Sequence, residues 1–143
     1  MIVAFDLDGT LADITHRLHF IQDKPERWRE FFRACVHDKP IPEAIAVVHA
    51  LQLVGHTIEI WSGRSDEVRT ETEAWLRDHS VLYSTLRMRN AGDHRDDAQV
   101  KGEWLDDMEK YRWPDLVFED RQRMVDMWRS RGVRCYQVAK GDF

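Results

Sequence analysis

Three short apolar runs, Ile2 to Phe5, Thr57 to Trp61 and Leu116 to Phe118, each stop at acids or polar turn residues. Runs of this length predict strands buried on both faces, as in a parallel sheet. Between them the apolar positions recur at helical spacing. One such segment covers Ile41 to Val54, with Pro42 in its first turn and Gly55 at its stop. Another runs from about Ser65, a candidate N-cap, to His79. Two more span roughly Asp97 to Tyr111, ending before Pro114, and Gln122 to Arg131, ending at Gly132. Weaker strands are expected at Thr85 to Met88 and Val133 to Val138. Strands alternating with helices predict an α/β fold built on a doubly wound parallel sheet of about five strands.

Residues 11–40 break this alternation, because they are helical in pattern yet follow the first strand directly. Trp28, Phe31 and Phe32 are bunched there, and Asp23 is placed to cap a helix beginning at Pro25. The segment is too short for a domain and reads as a small helical cap over the first strand. The alternative is an ordinary crossover helix pair whose aromatics join the main core. A length of 143 residues, 43% of them hydrophobic, suits a single domain over residues 1–143.

A net charge of -5 argues against a basic coat for long tracts of nucleic acid and leaves room for a local basic patch. Cys35 and Cys135 imply no disulfide framework and read as buried small apolar side chains. The first strand follows Met1 at once, with no room for a secretion signal, and no apolar run is long enough to cross a bilayer. Cytoplasmic location without membrane contact is the expectation. Protein partners are left open.

Ligands of open α/β sheets bind beyond the carboxyl ends of the strands. The residues there are Asp6, Asp8, Gly9 and Thr10 after the first strand, Ser62, Gly63 and Arg64 after the second, and Glu119 and Asp120 after the late one. Asp6-Leu7-Asp8-Gly9-Thr10 sets two carboxylates two residues apart, with a glycine that lets the chain turn close to a ligand. One carboxylate suits attack on phosphorus, and the other suits proton donation to the leaving oxygen. A calcium loop is the rival, but counting from Asp6 puts Leu11 where glycine is needed and Arg17 where a bidentate glutamate is needed.

A phosphate beside several carboxylates requires a hard cation, and magnesium suits that role. Asp6, the Asp8 carbonyl and Asp120 are its expected ligands, with Glu119 either behind them or in place of Asp120. The Ser62 hydroxyl and the backbone around Gly63 are candidate donors to phosphoryl oxygens, and Lys101 is the candidate cation. The seven histidines show no metal-ligand spacing.

Taken together, Asp6-Leu7-Asp8-Gly9-Thr10, Trp61-Ser62-Gly63-Arg64, Lys101 and Glu119-Asp120-Arg121 resemble the ordered motifs of the haloacid dehalogenase superfamily of phosphohydrolases. Within it the chain looks most like the 3′-phosphatase domain of phage-type polynucleotide kinase. Gly92-Asp93-His94-Arg95, Val100-Lys101, Val125 to Arg129 and above all Gly132 to Phe143 carry that likeness. The resemblance implies Asp6 as nucleophile, Asp8 as acid and base, Ser62, Arg64 and Lys101 as phosphate-binding, Asp120 as metal ligand, and Arg89 and Arg95 as substrate contacts. The chain departs from it in reading Glu119-Asp120 where two aspartates are usual, and in a longer segment after Thr10. No Gly-x-x-x-x-Gly-Lys-Ser/Thr stretch for a kinase half occurs.

The expected activity is hydrolysis of a phosphate monoester, on a nucleic-acid 3′-end or a nucleotide, with Arg87, Arg89 and Arg95 as candidates for a backbone phosphate. Alternatives are a phosphatase of nucleoside monophosphates or other small metabolites, and a catalytically idle phosphate-binding or interaction module. The last is disfavoured because both acid positions are intact.

Overall fold

The computed structural model describes residues 1–143. Five parallel strands form the sheet: β1 (Ile2–Phe5), β4 (Thr57–Ser65), β5 (Thr85–Arg89), β6 (Leu116–Arg121) and β7 (Arg134–Gly141), in the order β5-β4-β1-β6-β7. β1 pairs Phe5 with Ile60 on one side and with Phe118 on the other. The chain winds outward from β1 to β4 and β5, then returns to lay β6 on the opposite side of β1. Its direction therefore reverses at β1/β6, and the crevice beyond those strand ends is where such sheets bind ligands.

Both faces of the sheet are covered, which explains the unbroken apolar runs. Val3, Phe5, Ile58 and Ile60 pack with Val48 of α3 (Pro42–Leu53) and with Trp75 and Leu76 of α4 (Arg69–Asp78). Ala4, Trp61, Val117 and Cys135 face the other way, onto Leu105 of α5 (Asp97–Asp106) and Val125 and Trp128 of α6 (Gln122–Ser130). Cys35 and Cys135 are buried thiols.

Residues 11–40 rise from the β1 end. Their base is a two-stranded antiparallel ribbon of β2 (Ala12–Asp13) and β3 (Lys39–Pro40), and between these lie α1 (His19–Gln22) and α2 (Trp28–Arg33). Ile14, Ile21 and Phe31 make a separate apolar cluster, while Leu11 and Ala12 belong to the main core.

Several boundaries differ from the sequence reading. β4 runs on to Ser65, because Ser62 and Ser65 still find partners in Met88 and Arg89 across a bulge that carries Gly63 and Arg64. Ser65 caps a short turn at Asp66–Val68 instead of starting α4 itself. α5 ends at Asp106, five residues early: Asp106 and Asp107 put acids against the helix carboxyl end, where the backbone dipole is already negative. β7 extends through Gly141, which pairs with Arg121. α2 begins at Trp28 with Arg27 before it, so Asp23 caps nothing there.

Candidate active site

The Asp6 N–H continues the β1 ladder onto the Phe118 carbonyl at 3.0 Å, so Asp6 leaves the sheet beside β6. Gly9, at φ +81°, then turns the chain, and the N–H groups of Thr10, Leu11 and Ala12 converge on the Leu7 carbonyl. A side chain at Gly9 or at Gly141 would collide with Oδ2 of Asp120. Two glycines from distant segments thus admit one carboxylate. Asp6, Glu119 and Asp120 bring carboxylate oxygens within 4.8 Å of one another, all buried.

Lys101, on α5 and without exposed surface, is the hub of this acid group. Its Nζ stands 2.5 Å from Asp6 Oδ1, 3.3 Å from Glu119 Oε2 and 3.4 Å from Asp97 Oδ2. Three carboxylates therefore surround one ammonium, and Asp120 lies against two of them. Burial, reinforced by Glu119, pushes Asp6 up to about 8. Burial raises Glu119 to about 7, and burial with the neighbouring Asp6 raises Asp120 to about 6. Asp97 is the exception: Lys101, with help from Arg121 and Arg89, outweighs its burial and holds it below the usual range. Lys101 itself is driven well above its ordinary value, its acids prevailing over burial.

These residues fit a hard divalent cation. Oδ1 of Asp120 is buried with no hydrogen-bond partner, whereas Glu119 has both oxygens engaged, Oε2 by Lys101 and Oε1 by the Asp120 N–H at 3.2 Å. A cation would relieve both the crowded charge and the orphaned oxygen.

Asp8 has a different environment. Its Oδ1 accepts from Arg17 Nη2 at 2.7 Å and from Arg64 Nε at 2.8 Å. Both guanidiniums also hold Asp38 Oδ2, at 2.7 and 2.6 Å, and the Arg17 Nε donates to Asp38 Oδ1 at 2.8 Å. Burial alone would raise the Asp8 pKa, but Arg17 and Arg64 outweigh it and keep the carboxyl far below its usual range. Arg17 comes from the cap segment and Arg64 from the β4 bulge, so the network ties cap to sheet through Asp8.

A cavity of about 800 Å³ opens above Asp6 and Asp8, between the cap and the loop after β5. Gly63, Arg89 and Arg95 line it. The Arg89 Nε donates to the Gly63 carbonyl at 2.9 Å and its Nη2 reaches Asp97 at 3.2 Å. Arg95 is bound to Asp93 and Glu103. Ser62 and Arg64 have no exposed surface; the Ser62 hydroxyl accepts the Arg64 N–H at 3.2 Å, and the Arg64 side chain is spent on Asp8, Asp38 and Thr72. The Thr10 hydroxyl is buried without a partner. Arg87 sits 4.9 Å over the Trp61 ring and lies outside the cavity lining, which removes it from the candidate phosphate contacts.

Sequence reasoning missed Arg17, Asp38 and Asp97. Asp97 had a signal, since it precedes Lys101 by one helical turn. Arg17 and Asp38 had none, because only the folding of the cap brings them together.

The family described as the polynucleotide kinase PNKP phosphatase domain matches residues 1–143, the whole chain. A chain in the structure of a Pnkp1/Rnl/Hen1 RNA repair complex superposes with a TM-score of 0.81 at 28% identity, over 99% of this chain and 43% of that one. A second structure of the Pnkp1/Rnl/Hen1 complex gives 0.83 at 29% identity, over 99% and 47%. This chain thus spans less than half the length of either relative. The haloacid dehalogenase-like protein SP0104 from Streptococcus pneumoniae shares the fold at a TM-score of 0.69 and 14% identity, over 95% of this chain and 83% of that one.

Proposed function

The chain belongs to the family of polynucleotide kinase PNKP phosphatase domains, and from that premise we propose that it is a magnesium-dependent hydrolase of 3′-phosphates on nucleic-acid ends. The observation that carries the reading is Asp6, held by Lys101 at 2.5 Å at the floor of one open cavity, with the unpartnered Asp120 oxygen buried behind it in the same acid cluster. The RNA repair complex in which a relative occurs supports a strand end over a free metabolite.

In this reading an Asp6 oxygen attacks phosphorus as the bond from phosphorus to the ester oxygen breaks, and the leaving oxygen takes a proton from Asp8. Water then attacks the phosphorus of the acyl phosphate and gives its proton to Asp8. The Asp6 carboxylate departs, and inorganic phosphate is released. Lys101 favours the ionised Asp6 that the first step needs. Arg17 and Arg64 favour the ionised Asp8 that the second step needs. Charge on an incoming phosphate opposes those arginines and helps Asp8 carry its proton in the first step. Asp6, the Asp8 carbonyl and Asp120 would hold magnesium, with Glu119 behind them. When bound it neutralises charge between the acids and the phosphoryl oxygens.

The test compares phosphate release from a 3′-phosphorylated oligonucleotide, its 5′-phosphorylated isomer, a mononucleotide and a sugar phosphate, each with magnesium and with a chelator. Metal-dependent preference for the first is expected. Preference for the mononucleotide or sugar phosphate would replace the strand end with a small substrate, and no metal-dependent release from any of them would end the enzymatic reading.

A further inference from the structure

The cap gives the cavity an aromatic wall that phosphate hydrolysis does not use. Trp28 is 39% exposed, and Phe32, one turn further along α2, is half-buried; both line the cavity. Their rings lie 6.0 Å apart with 36° between their planes. Phe31 turns inward and meets Trp28 edge-on at 5.6 Å, and the Arg17 guanidinium covers Phe31 at 4.2 Å. The Trp28 indole N–H donates to Glu26 at 2.9 Å, which fixes the plane of the ring. An indole that is left open to solvent while its orientation is pinned presents a flat, pre-set apolar face.

The far wall mixes arginines with Asp93, Asp96 and Asp97. Arg89, Arg95 and Arg123 are engaged with carboxylates, Arg123 with Asp96 at 3.4 Å. Arg121 has no carboxylate partner; its guanidinium lies 3.9 Å from the Phe143 ring centroid, at the cavity edge beside Asp120. A ligand that matches the whole cavity needs a planar ring for one wall, a phosphate for the floor and a further anion for Arg121. A nucleotide within a strand carries all three, and an apolar peptide carries only the first.

We propose that Trp28 and Phe32 form a stacking subsite for the base of the nucleotide whose 3′-phosphate sits on Asp6, with Arg121 facing the next phosphate of the strand. The inference rests on the reading of the chain as a strand-end phosphatase and adds that it selects ends that bear a base.

Two 3′-phosphorylated oligonucleotides, identical except that one lacks the base of its terminal nucleotide, are compared by kcat/KM. The base-bearing strand is expected to be used about tenfold better, mostly through KM, as one aromatic stack would give. Trp28→Leu, which keeps an apolar side chain in the cap, should shrink that preference to about twofold, while Trp28→Phe keeps most of it. Equal use of the two strands by the natural chain, or a preference that survives Trp28→Leu, overturns the subsite and leaves the phosphatase reading intact. Binding of the same strands to the Asp6→Asn protein is read in parallel by fluorescence anisotropy. Base-dependent binding that Trp28→Leu removes, with no phosphate release by the natural chain, supports the subsite and sinks the phosphatase reading. Equal binding of both strands, or binding of neither, overturns the subsite independently of turnover.

Discussion

The Lys101 Nζ stands 2.5 Å from the Asp6 carboxylate, a contact closed across 95 residues of chain. It offsets part of the upward push that burial and Glu119 give the Asp6 carboxyl, which still stands at about 8 in the metal-free chain. Lys101→Met removes that cation and leaves Asp6, Asp97 and Glu119 facing one another. Turnover should fall by more than about a hundredfold, since a fixed charge at the reacting group is lost. Urea unfolding should show a loss of about 3–5 kcal/mol, the usual cost of stranding buried charge. A Lys101→Met protein with near-natural kcat would remove the lysine from the chemistry.

Stability and metal binding should share a pH dependence set by the same acids. Asp6, Glu119 and Asp120 are raised to about 8, 7 and 6 in the metal-free chain. A carboxyl raised in the native state contributes its full stability below its unfolded pKa and loses it as pH climbs through the folded value. The metal-free protein should therefore weaken between about pH 4 and pH 8. Asp8 and Asp97 are held low and act in the opposite sense, only as pH falls below the ordinary carboxylate range. Magnesium displaces the raised protons, so its stabilising shift in thermal midpoint should be larger at pH 8 than at pH 5. The same shift at both pH values would mean that the ion binds elsewhere.

What was legible in the sequence was what a short stretch of chain determines. Three apolar runs that end on acids are local patterns, and they are enough to predict a doubly wound sheet with Asp6, Asp8, Glu119 and Asp120 gathered at one edge. Lys101 lies on a helix with nothing local to distinguish it, so its place came only from resemblance. Arg17 and Asp38 were hidden for a further reason. Their bond depends on a ribbon pairing Asp13 with Lys39, a long-range contact that leaves no periodic trace. The resemblance implied Arg64 as a phosphate ligand, and the bulge in β4 sends its side chain inward to Asp8 and Asp38.

That inward network yields a prediction of its own. Asp38 is shared by Arg17 and Arg64, both fully buried, and Asp38→Asn removes the charge that balances them. A destabilisation of about 3–5 kcal/mol in urea unfolding is expected. Asp38→Ala should cost at least as much, because the hydrogen bonds disappear along with the charge. A loss under about 1 kcal/mol for Asp38→Asn would mean that Asp8 alone balances both arginines.

The last prediction separates Asp120 from Glu119. Asp120 keeps one buried oxygen without a partner, whereas both Glu119 oxygens are already bound within the protein. If Asp120 is the ligand, Asp120→Asn should raise the magnesium concentration for half-maximal activity by more than about a hundredfold. Glu119→Gln, acting from behind, should raise it by about tenfold to a hundredfold. Gly141→Ala supplies an independent check, because its new methyl group would push against Asp120 Oδ2 while leaving every acid in the sequence. It should raise the magnesium concentration for half-maximal activity, in the same direction as Asp120→Asn, and magnesium titration of activity for the three variants reads all of this. A larger effect from Glu119→Gln than from Asp120→Asn would reverse the assignment.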